Sequence, residues 1–225
     1  MPEMWLQMMP GGKAAKLVEA ALRHPAAEPG VRYPAWYLRR WHFLPEGYLS
    51  DRCVVLYDRV VRPVYWTGGG AREARLMARW LERTGARRVL EVAPGPGRLL
   101  ASLRSRLPAL EFRGIELSPY FVRMARGRLG DGAVAHGDAR DLSRAIGVFD
   151  AVVAAHYLGH LPPSERGAAF EAMAAAVRPG GSVVTLEHRW HRWPASGWLR
   201  LAARRGAGFS ELRFYRRAAG EGGGR

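Results

Sequence analysis

The stretch Arg88-Val89-Leu90-Glu91-Val92-Ala93-Pro94-Gly95-Pro96-Gly97-Arg98 decides how the chain is read. The apolar run RRVLEVA has the character of a buried strand, and RLLASLRSRL, which follows it, that of a helix. A tight glycine turn joins them. Such a turn lets the backbone approach a ligand closely, and open α/β sheets bind ligands outside the carboxyl ends of their strands.

The alternation continues toward the C-terminus. LEFRGIEL, GAVAHGD, FDAVVAAH and SVVTLEH read as strands; PYFVRMARGRL and PSERGAAFEAMAAAV read as helices between them. Five strands separated by helices predict an α/β domain with a doubly wound, mostly parallel sheet. Near the end, SGWLRLAARRG reads as a helix and FSELRFYRR as a sixth strand. Only AAGEGGGR remains after it, so the reading leaves no seventh strand.

Upstream, the composition changes twice. Residues 1–30 read as a loosely ordered segment in which AAKLVEAALR forms a short amphipathic helix. Residues 31–85 read as a helical, aromatic-rich cap. Tyr33, Trp36, Tyr37, Trp41, Phe43, Tyr48, Tyr57, Tyr65 and Trp66 are interleaved there with arginines. Ser50 and Asp51 cap a helix through CVVLYDRVV, Pro63 weakens its end, and Thr67-Gly68-Gly69-Gly70 breaks the chain before the helix AREARLMARWLERT. The binding and catalytic domain is then 86–217, with a flexible tail at 218–225.

The formal net charge is +15, and nearly all the basic residues are arginine, with lysine only at Lys13 and Lys16. Such a balance attracts anions: nucleic acid, an anionic membrane surface or a phosphorylated substrate. A GC-rich genome would also favour arginine over lysine, but it accounts less well for the excess of positive charge. The single cysteine, Cys53, excludes an internal disulfide and a cysteine metal cluster. No apolar run is long enough to span a membrane, and MPEMWLQMMPGGK lacks the features of a secretory signal. The expected place is the cytoplasm, with peripheral attachment to a membrane as an extension of that reading.

Two ligand classes compete for the glycine turn. A dinucleotide site wants a third small residue, GxGxxG/A, but the chain continues Gly95-Pro96-Gly97-Arg98-Leu99-Leu100. Glu91 is out of place beside a pyrophosphate and well placed beside an ammonium group. S-adenosylmethionine carries an ammonium and a sulfonium and no phosphate. Over about residues 86–190 the sequence resembles the class I S-adenosylmethionine-dependent methyltransferases. The family's E/D-x-G-x-G-x-G loop is matched by Glu91 to Gly97, with Ala93 at the first glycine. Its acid after the second strand is matched by Glu116 in GIELSP, and its acid after the third by Asp138 in GDAR. FDAVVAAHYLGHLP resembles the segment lining the methionine end, and AVRPGGSVVTLE the turn into the fifth strand.

The resemblance implies a cofactor site of Tyr57, Glu91, Ala93, Gly95, Gly97, Glu116, Leu117, Asp138, Ala139 and His156. Glu116 would grip the ribose, Asp138 would accept from the adenine amino group, and Ala139 would donate to the ring through its backbone. Tyr57 would cover the methionine end or pack its helix onto the sheet. Ala93 is read as sitting where the loop needs no left-handed backbone. Candidate bases gather after the fourth and fifth strands: His156, Tyr157, His160 and His188, with His191 nearby. His24 and His42 read as structural, and His136 as a core histidine. No metal is expected, because Gly159 and Pro162 interrupt the helical spacing of His156 and His160.

Within the family the chain looks most like the small-molecule and lipid branch, including quinone and phospholipid methyltransferases. It implies methyl transfer to a small hydrophobic molecule or lipid headgroup. An RNA methyltransferase is the alternative. A DNA enzyme is disfavoured because Ala154-Ala155-His156-Tyr157 replaces the usual Asp/Asn/Ser-Pro-Pro-aromatic motif. A non-catalytic cofactor-binding protein is the third reading. Glu187-His188-Arg189-Trp190-His191-Arg192-Trp193 interleaves cations and rings, suited to a phosphate, a base, a membrane interface or a packed surface loop.

Overall fold

The computed structural model describes residues 8–65, 70–142 and 148–219, with side chains at 64 and 65 left aside. Seven strands form one sheet: β1 Arg88–Val92, β2 Glu111–Glu116, β3 Val134–His136, β4 Phe149–Ala155, β5 Val177–His188, β6 Leu199–Ala207 and β7 Ser210–Arg217. Their spatial order is β3-β2-β1-β4-β5-β7-β6. The first five are parallel neighbours, and β7 lies antiparallel between β5 and β6. The doubly wound, mostly parallel sheet is therefore present, and it has the seventh strand that the sequence reading left out.

That strand is the segment read as a helix. Leucine, alanine and arginine are good helix formers, and 199–205 is made of them. Pairing with β7 along its whole length overrides this preference, and Gly208 at φ 58° closes the hairpin. Propensity is a weak prior where a neighbouring strand offers a full ladder.

Helices cover both faces. α4 (Ala71–Arg83), α5 (Arg98–Arg106) and α6 (Pro119–Leu129) bury Met77, Leu81, Leu100, Leu103 and Val122 against Val89, Val153 and Val184. α7 (Pro163–Ala175) buries Phe170 and Met173 against Val152, Val183 and Tyr215 on the other. Each such side chain contributes about 1.5–3 kcal/mol on leaving water. Trp80 of α4 packs 4.9 Å from Phe214, so this helix belongs to the sheet's core.

A third core holds the cap. α1 (Gly11–Leu22) brings Ala14 and Ala21 to Tyr37, Trp41, Leu44, Leu49 and Val54, and all pack on Leu117, Tyr120 and Phe121 at the start of α6. The segment read as loosely ordered thus holds a helix that shares the cap's core. α2 (Asp51–Leu56) starts where Ser50 accepts from the Cys53 N–H, then widens into a π turn at Tyr57–Val61 before α3 (Arg62–Tyr65). Pro63 cannot donate, and its ring displaces the carbonyl four residues earlier; the wider turn absorbs both. The glycine break at 67–69, Trp66 and the tail from 220 lie outside the described residues.

Gly97 shows why the turn needs its second glycine. It has φ 77°, and a Cβ there would stand 2.9 Å from the Ala125 Cβ, where α5 meets α6. Gly97→Ala is expected to lower unfolding stability by about 1–3 kcal/mol, from left-handed strain and overpacking together. Urea denaturation measures it, and an unchanged midpoint would show that the two helices can part freely.

Candidate functional site

One cavity opens at the carboxyl ends of β1, β2 and β4, and its space, counted with its open mouth, is about 900 Å³. Glu91, Ala93, Gly95, Glu116, Leu117, Asp138 and Ala139 line its floor. At Gly95 (φ 53°) an added Cβ would meet nothing within 4 Å, so the backbone lies bare to the cavity. Glu116 accepts from the Gly95 N–H at 2.9 Å and from the Ser118 N–H at 2.8 Å, which fixes its carboxylate beside the turn. Glu91 is 2% exposed, and its Oε2 has no hydrogen-bond partner among the described residues. A buried acceptor left open is costly unless a ligand completes it. Asp138 is held by Arg140, whose Nε lies 3.1 and 2.9 Å from its two oxygens. Ala93 has φ 50°. The loop does use the left-handed conformation at its first position, contrary to the expectation, and alanine bears a strain of about 1–2 kcal/mol there.

The cap supplies the opposite wall: Trp36, Tyr37, Trp41, Tyr48 and Tyr57, joined by Phe121 of α6. Trp41 and Tyr48 stack at 6.0 Å, and Tyr57 meets Tyr48 edge-on at 5.5 Å. The π turn places Tyr57 in the cavity, while Asp58, one residue on, points at the domain. Asp58 is 4% exposed and accepts from Arg98 at 2.5 and 2.8 Å and from Arg128 at 2.5 Å. Burial pushes its carboxyl up, but these guanidinium groups outweigh it and hold the acid below its ordinary range. Arg62, also buried, reaches the cavity from the same helix and lies close enough to Glu91 to favour its charged form.

Histidines form the side wall. The His160 Nδ1 lies 2.5 Å from the His156 carbonyl, which can only accept, so Nδ1 carries the proton and Nε2 the lone pair. Tyr48 Oη and His42 Nε2 each lie 3.4 Å from that Nε2. His42 reaches it through a strained turn, with φ 50° at His42 and 63° at Phe43. The sequence reading placed His42 among structural residues; the fold brings it to the edge of the site. Glu187, 2% exposed, accepts from the Leu158 and Gly159 N–H groups and fixes the 3-10 turn Leu158–His160.

Residues 89–181 match the family described as methyltransferase domain. A dTDP-3-amino-3,6-dideoxy-alpha-D-glucopyranose N,N-dimethyltransferase from Streptomyces fradiae is 34% identical over 152 residues, covering 65% of this chain and 56% of that protein. The chain thus spans little more than half the length of this curated relative. The crystal structure of Streptomyces venezuelae DesVI has 29% identity and a TM-score of 0.51 over 74% of this chain and 78% of that one. N-methyltransferase NodS from Bradyrhizobium japonicum WM9, in complex with S-adenosyl-l-homocysteine, shares the fold at 19% identity and a TM-score of 0.50, over 64% and 86% of the two chains. The open Oε2 of Glu91 and the bare Gly95 backbone fit S-adenosylmethionine, the cofactor that the sequence resemblance implies.

The fold brings most of the expected residues to one cavity: Tyr57, Glu91, Ala93, Gly95, Glu116, Leu117, Asp138, Ala139, His156, Tyr157 and His160. Two stand apart. Gly97 packs α5 on α6, and His188 lies behind His156 at 4.6 Å between it and Trp190, with its Nδ1 3.1 Å from Ser210 Oγ. His136 is a satisfied core histidine, bonded to the Glu28 N–H and the Leu117 carbonyl. Arg62, Leu99 and Phe121 joined the wall unannounced. They sit in the first turns of α3, α5 and α6, among residues of the same types that pack elsewhere, so nothing local marks them. Among the described residues no group of three or more His, Cys, Asp or Glu could hold a metal.

Burial sets the protonation states around the cavity. It pushes Glu91 up to about 8, Glu116 to about 7 and Glu187 to about 8, and it drives His42 and His156 down to about 3 and His160 and His191 to about 4. The acids hold protons when folded that they lose when unfolded, so their contribution to stability falls as pH rises from about 4.5 to about 8. The histidines do the reverse, and their contribution is lost as pH falls below about 6.5. Above pH 6.5 only the acids act. The cofactor-free protein is therefore expected to lose melting temperature between pH 6.5 and 8, with a shallower loss in Glu187→Gln. A flat profile by calorimetry over that range would contradict the protonated acids.

Proposed function

We propose that this chain transfers a methyl group from S-adenosylmethionine to a small, largely apolar acceptor, a hydrophobic molecule or a lipid headgroup. The observation that carries the reading is the division of one cavity between two kinds of wall. Carboxylates and bare backbone lie along the floor, where they suit the cofactor, and uncharged rings and neutral imidazoles face them. A phosphate-bearing acceptor would find one cation on the lining, Arg62, and that arginine stands beside Glu91. The Streptomyces relative, named for methylating an amino sugar, supports a small acceptor.

When bound, S-adenosylmethionine supplies an electrophilic methyl group on a sulfonium. The chain's own groups bind, orient and exclude water. Glu91 takes the ammonium and Arg62 the carboxylate of the amino-acid end. Glu116 takes ribose hydroxyls on the lone pairs its two backbone bonds leave open, and Asp138 with Ala139 takes the adenine edge. The cap rings shield the acceptor from water and fix its approach, and alignment of this kind is worth roughly 7–11 kcal/mol of barrier. The lone pair on His160 Nε2 receives a proton from an acceptor oxygen or nitrogen that must lose one.

Calorimetry is expected to show S-adenosylmethionine binding that Glu91→Gln and Glu116→Ala each weaken roughly 10- to 100-fold, as loss of a charge-assisted bond does. Binding near pH 7 should release a proton as Glu91 ionises beside the ammonium, seen as a dependence of the heat on buffer ionisation enthalpy. Full-strength binding by both variants would overturn the assignment of the floor. With methyl-labelled cofactor, label is expected in the organic-soluble fraction of a cell extract; label confined to RNA would overturn the acceptor class.

A further inference from the structure

We propose that the outer face of the cap helix, residues 52–60, docks this protein on an anionic lipid bilayer. The helix is divided along its length. Cys53, Val54, Tyr57 and Asp58 turn inward to the cap core, the cavity and the two arginines of the domain. Val55, Leu56 and Val60 turn outward, with 38%, 42% and 53% of their surface exposed. Arg52 and Arg59 are exposed among them. These five stand at i, i+3, i+4, i+7 and i+8, which is one side of a helix. Three aliphatic side chains flanked by two cations, with a packed opposite face, is the pattern of a helix lying in a membrane interface.

The occupant follows from charge and chemistry. The helix's exposed acid, Asp51, is held by Arg123, so the face presents net positive charge on a chain of net charge +15. A second copy docking through the same face would set its arginines against these. A nucleic acid would satisfy the arginines but cover three aliphatic side chains with phosphate. An anionic bilayer satisfies both, with headgroups for the arginines and the acyl boundary for the aliphatics. Phe43, 69% exposed, is a further exposed apolar side chain of the cap, beside the His42 that touches His160. Trp190, 66% exposed, stands on the loop after β5, at the same end of the sheet. No helix among the described residues is long and apolar enough to cross a membrane, so the contact is with the surface. Its use, to admit an apolar acceptor from the bilayer under the cap, rests on the function proposed above; the docking itself does not.

The test is co-sedimentation with vesicles of phosphatidylcholine alone and of an equimolar mixture with phosphatidylglycerol, without methyl acceptor. The protein is expected to sediment with the mixed vesicles, to stay in solution with phosphatidylcholine, and to be released by salt. Arg52→Gln with Arg59→Gln should lower partitioning roughly 25-fold, the product of about fivefold for each arginine near the surface. Val55→Ser with Leu56→Ser and Val60→Ser should also lower it, while calorimetric affinity for S-adenosylmethionine stays unchanged. Loss of vesicle binding with cofactor binding intact separates this surface from the site below it. Should the triple variant not fold, Val60→Cys carrying an environment-sensitive fluorophore reads the same contact, because Cys53 is buried; a blue shift is expected with mixed vesicles. The proposal is overturned if the native protein binds neither vesicle, if the serine variant binds as well as native, or if the fluorophore does not shift. A face that holds a dimer in size-exclusion chromatography, or one that takes RNA and no vesicle, would overturn it too.

Discussion

A single buried carboxylate, Asp58, ties the cap to the domain. Arg98, the first residue of the helix after the glycine loop, and Arg128, near the end of α6, both close on it. Two guanidinium partners keep the acid ionised where burial alone would neutralise it. The consequence reaches the whole cavity. With Asp58 held, the π turn can face only one way, and Tyr57 and Arg62 come down over Glu91. The cap rings that follow from Trp36 to Tyr48 then have a floor to face.

The site carries its cost before any ligand arrives. Glu91, Glu116 and Glu187 are buried, Ala93 and His156 stand at positive φ, and His42 and Phe43 do so in succession. Each is unfavourable taken alone. The surrounding core offsets them, since the valines of β1, β4 and β5 and the leucines of α5 are almost completely buried. The arrangement is preorganised: carboxylates already aimed, imidazoles already neutral, and the backbone of the loop already open. Little reorganisation is left for the moment of reaction, which is how a rigid polar site lowers a barrier.

Much of this was legible in the sequence. Glu91 to Gly97, Glu116 and Asp138 each end a strand, and strand ends in a parallel sheet converge by topology, so their meeting follows from the alternation alone. Tyr57 and Asp58 were legible as helix positions, but not as the residues that face cavity and domain, because a π turn re-aims both. The strand at 199–207 was misread because its leucines, alanines and arginines prefer a helix and its partner is β7, a pairing no local pattern announces. His42 read as structural; its contact with His160, 118 residues away, is a pairing of the same kind that no local pattern announces.

The sequence by itself determined the five parallel strands, the glycine turn and the three acids on its rim, because strand periodicity and turn chemistry are local and the parallel topology does the rest. The tertiary structure alone decided which side chains close the cavity, which ring nitrogen of His160 the His156 carbonyl engages, and which side of the cap helix is left bare. Those are outcomes of packing between segments far apart in the chain, where burial, charge pairing and backbone strain are settled together.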